Sequence, residues 1–68
     1  MKRIYHVWME DEGIPDPECN SVVSTYGQAL DELFYWTEEE PVMEKAADDE
    51  WFWRVSDLLT GHIIREEV

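Results

Sequence analysis

Hydrophobic and polar residues alternate from Arg3 to Glu10, placing Tyr5, Val7 and Met9 on one side of the chain and Ile4, His6 and Trp8 on the other. A period of two in a run rich in β-formers predicts a strand. Residues 10–18 break the pattern with Gly13, Pro15, Pro17 and the acids Glu10, Asp11, Glu12, Asp16 and Glu18. None of these suits the interior of a ladder, so an exposed loop is expected there. A short second strand is expected over residues 21–24, around Val22 and Val23.

The period then changes. Thr25 and Gln28 stand at capping-box spacing: the Thr25 hydroxyl can accept from the amide three residues on, and Gln28 can reach back to the Thr25 amide. From there Tyr26, Ala29, Leu30, Leu33, Phe34 and Thr37 recur at steps of three and four, leaving Asp31, Glu32 and Tyr35 toward solvent. This predicts an amphipathic helix laid on a sheet. It should end near Glu38, Glu39 and Glu40, where three acids meet the negative end of the helix dipole and Pro41 follows. Residues 42–47 suit a short second helix, with Pro41 at its first position and Met43, Ala46 and Ala47 on one face.

Alternation returns at residues 51–56, with Trp51, Trp53 and Val55 on one side. Asp57 fits the start of a type I turn and Gly61 the left-handed residue that closes it, so a hairpin returning over residues 62–68 is expected. The reading is a single small α+β domain over residues 1–68, in the order β-β-α-β-β, with an antiparallel sheet packed on one main helix.

Composition agrees with a folded chain that has one core. A chain of 68 residues buries only roughly 60% of its unfolded surface, but 44% of these residues are hydrophobic, among them four Trp, three Tyr and two Phe. Cys19 is the single cysteine and is expected to be a free thiol. Lys2 and Arg3 lead into an alternating run rather than the apolar core of a signal peptide, and no stretch approaches the roughly 18 apolar residues of a membrane span. A cytoplasmic location is therefore expected.

No constellation in the chain suggests catalysis. Glu66 and Glu67 are adjacent in a strand and point to opposite faces, and the glycines are too widely spaced to cradle a phosphate. His6 and His62 could meet across paired strands, yet two histidines without a third ligand make a weak site. Residues 10–18 lack the alternate-position acids and closing glutamate of a calcium loop. A non-enzymatic protein with no cofactor and no metal is expected.

Charge narrows the remaining choices. Seventeen acids against five bases give a formal net charge of −12, a field that repels nucleic acid and anionic lipid and speeds encounters with basic surfaces. Direct nucleic-acid binding and membrane binding are not expected. The acids cluster, and the candidate partner-binding residues are Glu10, Asp11, Glu12, Glu38, Glu39, Glu40, Asp48, Asp49 and Glu50. Such clusters also serve solubility. The aromatic residues Trp8, Tyr35, Trp36, Trp51, Phe52 and Trp53 exceed what a core this small can enclose under one helix, which makes Trp51 and Trp53 further candidates for a partner contact. The partner these features call for is a basic, nucleic-acid-binding host protein or complex, met by a monomer or weak dimer.

In size, charge and topology, with the capped helix Ser-Thr-Tyr-Gly-Gln-Ala-Leu at residues 24–30, the chain resembles small acidic phage-encoded inhibitors of the anti-CRISPR and host RNA polymerase inhibitor kinds. That resemblance implies inhibition by occupying a nucleic-acid-binding surface through nucleic-acid mimicry. A second resemblance rests on Pro15-Asp16-Pro17-Glu18-Cys19 with Thr25 and Gln28-Ala29-Leu30, which is similar to a segment and helix start of HicB-type antitoxins. It implies binding of a small basic toxin instead. The chain lacks a glycine before Cys19, where that family has one.

Overall fold

The computed structural model describes residues 2–68, which form five strands and one helix: β1 (Arg3–Asp11), β2 (Ile14–Val23), α1 (Tyr26–Thr37), β3 (Glu44–Ala47), β4 (Glu50–Arg54) and β5 (Leu59–Glu67). All strand pairs are antiparallel, in the order β2-β1-β5-β4-β3. This is the α+β domain expected, an antiparallel sheet on one main helix, with a short extra strand at β3. No helix among the described residues is long and apolar enough to cross a membrane.

The first difference from expectation lies between Glu10 and Glu18. The chain does not form an open loop there; β1 and β2 form a long hairpin, with Asp11 opposite Ile14 and Glu10 opposite Pro15, whose register breaks over residues 16–19 of β2 before Asn20 pairs with Trp8. Its two-residue turn is Glu12-Gly13, both left-handed with φ of 55° and 80°, the geometry whose twist suits a tight hairpin. Pro15 and Pro17 are tolerated because β2 is the outermost strand, where a missing N–H deprives no neighbour. The second strand therefore covers Ile14–Val23 rather than residues 21–24.

The second difference is β3. Residues 42–47 do not make a helix; Glu44 pairs with Phe52 and Lys45 with Trp51. A single turn of helix is costly to nucleate and has little apolar face to bury here, since all four β3 residues are exposed. Pairing to β4 satisfies the backbone instead, and Glu44 and Lys45 keep that edge charged.

Helix α1 follows the sequence reading closely. Thr25 Oγ1 accepts from the Gln28 amide at 3.1 Å, and Gln28 Oε1 accepts from the Ser24 and Thr25 amides at 3.0 and 3.2 Å. Its C-terminal cap is Glu38, left-handed at φ 59°, whose N–H donates to the Phe34 carbonyl. Ala29 and Leu33 are fully buried against the sheet, whereas Phe34 is 48% exposed. Tyr5, Val7, Met9, Trp53 and Ile63 complete the core from the sheet side.

Gly61 is a third difference. It does not close the β4–β5 turn in a left-handed conformation but lies buried inside β5, opposite Met9 and Trp53. A Cβ there would stand 3.0 Å from Leu33 Cδ2, so the glycine lets α1 approach the sheet.

Candidate interaction surface

Strand alternation gives the sheet two faces, and α1 covers one of them. The other carries Ile4, His6, Trp8 and Glu10 from β1, Thr60, His62, Ile64 and Glu66 from β5, and Glu50, Phe52 and Arg54 from β4, by the register of those strands. Among the described residues no helix or strand lies over this face. Trp8, His62 and Phe52 form its central row, since Trp8 pairs with His62 and His62 with Phe52. The Trp8 and His62 rings stack, 5.1 Å apart and 15° from parallel.

Carboxylates tie this row down. Trp8 Nε1 donates to Glu10 Oε2 at 2.9 Å, and the other oxygen of Glu10 lies 3.5 Å from His62 Nε2. That nitrogen is buried, and its approach to Glu10 lacks hydrogen-bond geometry, so the contact is close without being a hydrogen bond. The mirror arrangement stands at the other end of the same strand pair, where His6 Nε2 meets Glu66 Oε2 at 2.8 Å. Both pairs are diagonal cross-strand neighbours of β1 and β5, a spacing within reach of long side chains.

The acid clusters fall at the two ends of the strands. Asp11 and Glu12 form the tip of the β1–β2 hairpin. Leu33 packs beside Gly61, which pairs with Met9, so α1 runs toward this same end and delivers Glu38, Glu39 and Glu40 there. Asp48, Asp49 and Glu50 lie at the opposite end, beside Glu66 and Glu67: the Arg65 amide donates to the Asp49 carbonyl at 2.8 Å, and Glu50 pairs with Ile64. The fold thus brings two of the three predicted clusters together and sets the third apart.

Few cations offset these acids. Among the described residues the Arg and Lys ion pairs are Arg3 with Glu67 at 3.4 Å and Arg65 with Asp49 at 2.7 Å. Asp11, Glu12, Glu38, Glu39, Glu40, Asp48 and Glu50 are exposed and have no basic partner among the described residues.

The two predicted tryptophans are not part of the uncovered face. Trp53 is 6% exposed and belongs to the core, so it cannot meet a partner. Trp51 is half-buried on the helix side, 5.0 Å from the Tyr26 ring, with the Arg65 guanidinium 5.5 Å from its own ring centre. The sheet aromatics on the uncovered face are Trp8 and Phe52, both half-buried. Their signal was present in the alternation, which sets Trp8 opposite Val7 and Phe52 opposite Trp53, but only the position of α1 decides which side stays open.

Among the described residues no three His, Cys, Asp or Glu side chains gather closely enough to hold a metal ion. No family model, no curated protein and no solved structure matches this chain.

Proposed function

We propose that this protein is a non-enzymatic acidic binding protein that occupies the basic surface of a nucleic-acid-binding protein or complex and so competes with its nucleic acid. The observation that carries this reading is the set of uncompensated carboxylates at both ends of an uncovered aromatic sheet face. Nine-residue strands at about 3.3 Å per residue are about 30 Å long, so the molecule's 36 Å axis lies along them. That length is about one turn of B-form duplex. Twelve net charges over 36 Å amount to one per 3 Å, roughly half the density of a duplex, which carries one per about 1.7 Å.

The division of labour follows from general interface physics. Exposed acids steer and orient, because charge complementarity raises association rates and is screened by salt. Trp8, Phe52 and Ile64 between them supply apolar area that can be desolvated, which charge alone does not.

The test is affinity capture of basic proteins at low and high salt, followed by challenge with a short DNA duplex. Capture should fall steeply with salt, the duplex should displace the protein, and changing Glu38, Glu39 and Glu40 together to lysine should weaken capture while leaving the circular dichroism unchanged. Capture of one small basic toxin, not displaced by duplex, would favour the antitoxin reading. Capture indifferent to salt and to reversal of all three clusters would overturn the proposal.

A further inference from the structure

The outer edge of β2 and one side of α1 enclose an open groove of about 600 Å³, lined by Val22, Val23, Ser24, Gln28, Asp31, Glu32 and Tyr35. It lies at the β2 edge of the sheet, where Val22, opposite His6, borders the uncovered face and the other lining residues stand toward α1. The helix contributes Gln28, Asp31, Glu32 and Tyr35, spaced as one stripe at three, four and seven residues, and Tyr35 is 77% exposed. The sheet contributes a strand whose second neighbour is missing. β2 pairs with β1 from Asn20 to Val23 and, among the described residues, has no strand beyond it, so alternate N–H and C=O groups along its outer edge are free to pair with another chain.

We propose that this groove takes an extended, basic segment of the partner protein as an added strand on β2. Extended geometry follows from the free strand edge, which offers backbone pairing to a peptide of any sequence. The basic character follows from Asp31 and Glu32, which face the groove without a cation partner among the described residues; the Ser21 hydroxyl donates to Glu32 at 3.5 Å. A second copy of this chain is a poor occupant, because it would bring another net −12 and its own Asp31 and Glu32 against the first pair. Pro15 and Pro17 remove two donors from the first half of β2, so the added strand is confined to the half that borders the groove, from Asn20 onward.

This inference rests on the acidic-binder reading and names where one part of the partner would lie. The probe is a capped six-residue peptide of alternating lysine and valine, compared with the same peptide N-methylated at alternate amides, which keeps its charge but loses backbone donors. Amide exchange and chemical shifts of the wild-type protein are followed by NMR. Exchange in residues 20–24 should slow and the Tyr35 ring should shift with the unmodified peptide, and the methylated peptide should bind at least about tenfold more weakly. Asp31→Asn with Glu32→Gln should weaken binding about fivefold at low salt, each exposed ion pair being modest. Equal binding of both peptides, shifts confined to Trp8 and Phe52, or a β2-to-β2 dimer in sedimentation would each overturn the groove. If the groove fails while capture remains salt-sensitive and cluster-dependent, the acidic-binder reading stands without it.

Discussion

Replacing Gly61 with alanine should destabilise the protein although the backbone there accepts any residue. The left-handed residues of the described chain are Glu12, Gly13 and Glu38, so Gly61 carries no conformational demand. Restricting the unfolded chain by itself would make alanine favourable by about 0.4–1 kcal/mol. Packing decides the sign. The new methyl would lie 3.0 Å from Leu33 Cδ2, 3.4 Å from Met9 Sδ and 3.5 Å from Trp53 Cε3, whereas carbon atoms settle at about 3.5–4.0 Å. Leu33 must therefore retreat by roughly 0.5 Å, and it is fully buried in the core with Val7 and Ile63. Overpacking of this kind costs about 1–3 kcal/mol, which leaves a net loss of about 1–2 kcal/mol after the entropy gain. A domain of this length holds about 3–10 kcal/mol in total, and each kcal/mol moves the melting temperature by about 4–8 °C. Urea and thermal unfolding followed by tryptophan fluorescence would read the change, since Trp53 borders the new methyl. Leu33→Val should relieve the clash, making the double variant less damaged than the sum of the singles by at least about 0.5 kcal/mol. Wild-type stability of Gly61→Ala, or strict additivity with Leu33→Val, would refute the reasoning.

Glu38→Gly should stabilise the fold by about 1 kcal/mol, because it removes a side chain from a left-handed helix cap and a negative charge from the helix C-terminus; the same change should weaken partner capture, so melting temperature and binding move in opposite directions. Thr25→Ala should cost about 1 kcal/mol by losing the capping bond to the Gln28 amide, and Thr25→Ser should restore most of it, as chemical denaturation can measure. Burial first, then the charge and hydrogen bonding of Asp16 and the charge of Glu18, push the Cys19 thiol above its ordinary range, so less of it is thiolate near neutral pH. Alkylation by iodoacetamide should be slower than for a free cysteine and should accelerate in Asp16→Asn; unchanged rates in that variant would show that Asp16 plays no part.

Local rules in the sequence determined much of this architecture. Thr25 and Gln28 mark the start of α1 because a capping box is satisfied within four residues, and the period-two run of β-formers from Arg3 to Glu10 marks β1 because strand geometry repeats every second residue. The acidic character and its clusters are likewise sequence properties, as charge needs no fold to be counted. Tertiary structure decided the rest. Pro15 and Pro17 argue against a strand by local rules, yet they stand in β2 because the outer edge of a sheet asks nothing of their missing donors. Residues 42–47 look helical alone, but pairing with β4 outweighs the weak preference of so short a segment. Gly61 reads as a turn residue from its neighbours, and its role depends on Leu33 arriving from 28 positions earlier in the chain. Which tryptophans face outward was equally illegible: Trp8 stands between Val7 and Met9 and Trp53 next to Phe52, and only the side on which α1 settles leaves Trp8 on the uncovered face and puts Trp53 in the core.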